Sequence, residues 1–204
     1  MSSTGQPPSL ISFCCGRLWA VKGGDSCLRR WKQVLADRLT RHEQVLDSMQ
    51  DEISEFITDL LSGNLPHSVA DEACRQLRLV DEYESISDYI TNLDKFDRKL
   101  RSSGFRFSDE QVLSLSFLNR QISDYLKAIN FAFKHGDRNV MTTTSAATGR
   151  IRKGVKQLRH KHMENLLSDS IPPQVSVAYL AALNAYSRLR DHSDNIAEAM
   201  SGEK

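Results

Sequence analysis

Apolar residues along this chain recur at intervals of three and four, the period of a helix with one buried face, and not at the interval of two that a strand would need. A first helix is predicted from near Leu28 to about Leu61, with Val45, Leu46, Met49, Ile53, Phe56, Ile57, Leu60 and Leu61 as its inward stripe. Ser62-Gly63-Asn64-Leu65-Pro66 ends it, since glycine accepts a left-handed cap and proline cannot continue the ladder. Ser68, with Asp71 three residues on, reads as the cap of a second helix reaching about Leu100 on Leu77, Val80, Tyr83, Ile86, Tyr89, Ile90, Leu93, Phe96 and Leu100. Ser102-Ser103-Gly104 breaks that run. Ser108 and Gln111 then form a capping box for a third helix on Val112, Leu115, Leu118, Ile122, Tyr125, Leu126 and Ile129, closed by Gly136. A fourth runs from near Asn139 to Ser168, thinner in apolar content and weakened early by Thr142 to Ser145 and Gly149. Pro172-Pro173 separates it from a fifth, whose inward line of Val175, Ala178, Ala182, Ala185, Leu189, Ile196 and Met200 is rich enough in alanine to predict close approach to its neighbours.

The fold class that follows is all-α, an up-and-down bundle of about five long helices joined by short loops. Composition agrees: 204 residues, forty per cent hydrophobic, with five prolines and ten glycines placed mostly before Asp25 or at the joints. Residues 1–27 lack periodicity and read as a poorly ordered tail, an expression remnant or the stub of something upstream. The rest divides into a first helical repeat, 28–136, and a second, 137–204, that lacks its last helix. No run reaches the roughly 20 apolar residues of a spanning helix, the best stretch, Leu10 to Val21, being short and holding Arg17. Cys14, Cys15, Cys27 and Cys74 show no C-x-x-C spacing, which favours a reducing, cytoplasmic setting over a disulfide or zinc scaffold.

Charge changes the picture. The net is only +1, against a general nucleic-acid binder, but Glu43 to Asp94 holds 13 Asp or Glu and 2 Lys or Arg, whereas Arg138 to His162 holds 7 Lys or Arg and no acid. In the basic stretch Arg152, Lys156 and Arg159 share one helix face, a patch for a phosphate, an acidic partner helix or an anionic membrane surface, or simply an exposed solvated face. Without interleaved aromatics it is no platform for single-stranded nucleic acid.

The acidic stretch carries ladders at four-residue spacing: Glu43, Asp47 and Asp51 on the first helix, and Glu84, Asp88 and Asn92 on the second. Facing each other across adjacent helices, such carboxylates repel and need protons, cations or basic side chains between them. An all-oxygen donor set points to Mg, Mn, Ca or Fe as the guest. Ser187, Asp191 and Asn195 repeat the spacing on the fifth helix with a hydroxyl in place of the first acid, and Asp194 and Glu198 lie near the same face; Asp88 and Asp191 are 103 residues apart. A solvated acidic face remains the alternative reading of every ladder. Catalytic signatures are missing: no Gly-rich phosphate loop, no G-x-S-x-G, no H-E-x-x-H and no Glu-x-x-His of a di-iron bundle, and His192 reads as a helix-surface residue.

Asp47-x-x-x-Asp51, Glu84-x-x-x-Asp88-x-x-x-Asn92 and the run from Tyr186 to Glu198, which follows the pattern E-R-I-x-D-H-x-x-N-I-A-E except at its first and third positions, together resemble the PhoU family over about Arg41 to Glu198. That resemblance implies tandem three-helix bundles, a non-enzymatic role in phosphate uptake and signalling, and metal bound by paired acidic motifs, here Asp47, Asp51, Glu84, Asp88 and Asp191, with Glu43, Asn92, Asn195 and Glu198 as further ligands. Ser187 departs from the expected Glu. The absent sixth helix looks more like the cytoplasmic domain of bacterial sodium/phosphate cotransporters. Implied partners are a phosphate transporter or phosphate-sensing protein, with a homodimer as a further expectation and membrane contact only through a transporter or surface docking. The rival reading is a structural helical adaptor, without metal, whose acidic groove receives a basic partner.

Overall fold

The computed structural model describes residues 26–168 and 171–202, and for 26–33, 35, 36 and 168 the backbone alone. Among the described residues the fold is five helices: α1 (Ser26–Leu61), α2 (His67–Ser102), α3 (Asp109–His135), α4 (Val140–Ser168) and α5 (Pro173–Ser201). Residues 1–25 of the expected tail, with Leu10 to Val21, Cys14 and Cys15, lie outside them, while Ser26 and Cys27 already belong to α1. Each helix falls within a few residues of its predicted limits.

The capping chemistry at α3 is as expected. Ser108 Oγ accepts from the Gln111 amide at 3.2 Å, and Gln111 Oε1 accepts from the Ser108 amide at 2.9 Å. Gly136 closes the helix at φ 65°, a left-handed geometry in which a side chain is strained. At α2 the expectation fails, because Ser68 sits inside the first turn. Pro66 takes the cap position with no side-chain bond, its carbonyl accepting from the Val69 and Ala70 amides at 3.0 and 3.2 Å. Proline's fixed φ pre-sets that entry, so the serine hydroxyl is not needed.

Side-chain pairs define the packing directions. Lys95 reaches Glu43 and Gln50 reaches Asp81, so α1 and α2 run antiparallel. Lys161 pairs with Glu110 while Gly154 faces Leu118, so α3 and α4 also run antiparallel. A Cβ on Gly154 would lie 3.4 Å from Leu118 Cδ2, which shows how closely these two helices approach. α5 is the shared element. It packs most extensively on α2, then on α4 and α3, and the α2–α3 connection brings no comparable pairing of those two helices. The core is one cluster, with Leu115, Leu118, Ile122, Ile129, Ile151, Ala182, Leu183, Tyr186, Leu189, Ile196 and Ala197 fully buried. Small side chains on α5 keep three helices within packing range of it, which is the close approach its alanines predict.

α1 departs from its predicted stripe. Leu39 and Ile57 are buried and Leu46 and Ile53 half-buried, but Val45, Met49 and Phe56 are 55%, 50% and 66% exposed. Leu39 and Ile57, 18 residues apart, lie on one line facing α2, whereas Val45, Met49 and Phe56 lie about a third of a turn away from it. α1 therefore has two apolar lines, and α2 covers one. Met163 of α4 is likewise half exposed.

Candidate functional site

Two polar regions stand out, one along the α1–α2 seam and one along α5. In the seam the four-residue spacing holds the ladders on their helices. Glu84, half-buried on α2, has its carboxyl raised above the ordinary range first by desolvation, then by the carboxylates of Asp88 one turn on and Asp47 across the seam, with Asp81 adding to them and a Ser85 hydroxyl opposing. The two ladders thus face each other through Asp47, Glu84 and Asp88. The remaining candidates sit as follows. Asp51 is exposed on α1, Asn92 is half-buried one turn beyond Asp88, and Glu43 lies 3.6 Å from Lys95 Nζ. Asp81 accepts from Gln50 Nε2 at 2.9 Å. Among the described residues no three His, Cys, Asp or Glu side chains converge into a group able to hold a metal ion.

Raised proton affinity has a consequence for stability. A carboxyl held higher in the folded state than in the unfolded chain favours folding at low pH, and that contribution is lost as pH rises through the folded value. At pH 7 the ionised Glu84 therefore opposes the fold. Glu84→Gln is expected to raise Tm by about 1–2 °C at pH 7 in chelator, as removal of an i,i+4 like-charge pair implies. The gain disappears near pH 4, where both states of the wild type take up the proton. Thermal unfolding of the two proteins across that range checks it; a Tm unchanged or lower at pH 7 would refute it.

The second region joins α5 to three helices. His192 Nδ1 donates to Glu82 Oε2 at 2.7 Å, Asn195 Nδ2 donates to Glu82 Oε1 at 2.8 Å, and the His192 ring stacks on Tyr89 at 5.5 Å between centroids. Arg78 pairs with Glu198 one turn further along the seam. His192 is not a surface residue, as its spacing predicts, but part of the α2–α5 contact. On the other side of α5, Asp194 Oδ1 accepts from Tyr125 of α3 at 2.5 Å and from Thr148 of α4 at 2.7 Å, and Asp194 Oδ2 lies 4.0 Å from Arg190 Nε. Burial and this bond push the Tyr125 phenol well above its usual range. Arg190, itself buried, also engages Asp191.

Of the predicted ligands on α5, then, Asp191 is held by Arg190, Asn195 by Glu82 and Glu198 by Arg78. Sequence reasoning missed Glu82, Tyr125 and Thr148. A signal for Glu82 does exist: Arg78, Glu82 and Tyr89 share one helix face, as do His192 and Asn195. The basic patch of Arg152, Lys156 and Arg159 lies exposed along α4. At the far end of the bundle a cavity of about 460 Å³ opens between the start of α3, the end of α4 and the start of α5. It is lined in part by Phe107, Lys161, Tyr179 and His162, whose buried Nε2 has no hydrogen-bond partner.

Fold and site together define an all-α bundle built on acidic seams, with no helix among the described residues long and apolar enough to cross a membrane. No family model matches the chain, and no curated protein matches it by sequence. By structure it is similar to PhoU from Pseudomonas aeruginosa, with a TM-score of 0.77 at 17% identity, covering 94% of this chain and 88% of that one. The chain has a PhoU-like fold.

Proposed function

We propose that this chain is a non-enzymatic, PhoU-like regulatory domain of phosphate homeostasis, acting at the cytoplasmic face of the cell membrane by contact with a phosphate transporter or phosphate-sensing protein. The observation that carries the reading is the approach of Asp47 to Glu84 and Asp88 across the α1–α2 seam, on a fold shared with PhoU. Division into a first repeat, 28–136, and a second, 137–204, belongs to the same proposal.

A Mg, Mn, Ca or Fe cation would be held by Asp47, Asp51, Glu84 and Asp88, and when bound it would supply the positive charge these carboxylates lack. The donors fit in kind, since all are hard oxygens. They fit less well in number, because the described side chains form no closed group of three. Asp191 would join a second site only by leaving Arg190.

Titration of the wild type and of the Asp47→Ala/Glu84→Ala variant with each cation tests the metal claim. Uptake by the wild type alone is expected, with a Tm rise matching about 2.7 kcal/mol at a hundredfold excess over Kd. Equal, negligible uptake by both proteins would remove it.

One observation favours the adaptor reading. Lys95 and Gln50 already engage Glu43 and Asp81 along the same seam, so basic and amide side chains can satisfy it without metal. A Tm that ignores cations but rises with a basic helical peptide would decide for the adaptor.

A further inference from the structure

The cavity at the far end of the bundle combines an aromatic wall with a buried nitrogen that nothing in the fold satisfies. Its volume, about 460 Å³, falls in the range of small-molecule sites, roughly 300–1,000 Å³. Phe107, Leu158, Val175 and Tyr179 give it an apolar lining, and its rings are ordered: Phe107 meets Tyr179 edge-on at 6.0 Å between centroids, and Tyr179 meets the His162 ring at 4.9 Å. Ser114 already engages the Tyr179 hydroxyl. His162 is 3% exposed and its Nε2 has no partner, which costs folding free energy unless something else meets that nitrogen. Burial lowers the proton affinity of the ring, so the imidazole is neutral at pH 7. At the mouth Lys161 pairs with Glu110, whereas Arg106 is exposed and has no acidic partner among the described residues. None of the described lining residues belongs to α1 or α2, so what binds here is independent of the acidic seam and of any metal in it.

We propose that this cavity binds a small hydroxyaryl carboxylate, its ring against Phe107 and Tyr179, its hydroxyl on His162 Nε2 and its carboxylate on the Arg106 guanidinium. The aromatic wall selects a flat ring, because offset and edge-on ring pairs add to what area burial alone supplies. A hydroxyl both donates and accepts, so it satisfies Nε2 in either tautomer of the neutral imidazole. The unpaired guanidinium matches a carboxylate in charge and in its two-pronged geometry. A neutral aliphatic molecule of the same size would fill the space and leave both polar groups unmet. Were His162 a packing residue alone, an apolar ring in its place would serve the fold at least as well, and nothing would favour keeping the nitrogen.

The test is calorimetric titration of the full chain with para-coumarate, and with cinnamate, which has the same ring and carboxylate but no hydroxyl. Wild type is expected to bind para-coumarate with a Kd below about 500 µM and cinnamate about tenfold more weakly. Arg106→Gln, at an exposed position that leaves the fold intact, is expected to weaken both probes about tenfold. His162→Phe is expected to bind the two probes alike and, without ligand, to unfold about 2–4 °C above wild type, since it removes the unmet nitrogen and keeps a ring against Tyr179. Phe131→Ser, at an exposed aromatic near the other end of α3, is expected to change neither affinity. Absence of binding by wild type up to about 1 mM of either probe overturns the proposal. So does an Arg106→Gln variant that binds as wild type, a His162→Phe variant that keeps the preference or unfolds below wild type, or loss of binding in Phe131→Ser.

Discussion

Asp194→Ala should destabilise the bundle by about 2–4 kcal/mol, lowering Tm by roughly 10 °C, because it removes a carboxylate of α5 on which α3 and α4 converge. Tyr125 and Thr148 lose a charged acceptor between packed helices and keep only the weaker hydroxyl pairing of Tyr125 with Thr148 and Thr144, while the buried Arg190 loses one of its two carboxylates and keeps Asp191. Hydrogen bonds to a charged acceptor are the stronger ones, so their loss in a desolvated site outweighs what neutral hydroxyl pairs return. Asp194→Asn, which can keep the Oδ1 contacts and removes the charge, should lose about 1 kcal/mol. Because the three groups act on one carboxylate, Tyr125→Phe combined with Asp194→Ala should cost less than the sum of the two changes. Urea unfolding measures all of these; an Asp194→Ala variant within about 0.5 kcal/mol of wild type would show that the network contributes little.

Tyr186→Ala should have an effect of similar or greater size, about 3–5 kcal/mol. Tyr186 is fully buried at the middle of α5, where α2 and α4 flank the helix and its hydroxyl lies 3.3 Å from Asn119 Oδ1 of α3. Truncation leaves a void that rigid neighbours on three helices cannot all fill. Tyr186→Phe keeps the ring and removes the hydroxyl that reaches Asn119, and should cost about 1 kcal/mol. If urea unfolding instead finds the alanine and phenylalanine variants alike, the void must close by local collapse.

Helix number and limits were legible because caps and breakers such as Ser108, Gly136 and Pro172 act within a few residues of themselves. Covered faces were less so. α1 shows why: apolar residues a third of a turn apart read as one broad stripe in sequence, and only the position of α2 separates Ile57 from Phe56. The facing of the acidic ladders was also legible, since four-residue spacing fixes a helix face and a short loop fixes an antiparallel neighbour. Which acids receive protein partners was not. Glu82 and Glu84 look equivalent in sequence, yet one turns toward His192 and Asn195 on a helix 110 residues away and the other toward Asp47. Asp194 likewise acquires its role from Tyr125 and Thr148, on two other helices.

The helix that joins the bundle is the last of those described to leave the ribosome. α1 and α2 can pair as they emerge, and so can α3 and α4, but each hairpin waits with an apolar face open until α5 arrives. Completion therefore waits on the synthesis of Pro173–Ser201. Nascent chains stalled before Pro173 should hold two loosely coupled hairpins, recognisable to chaperones that bind exposed aliphatic surface.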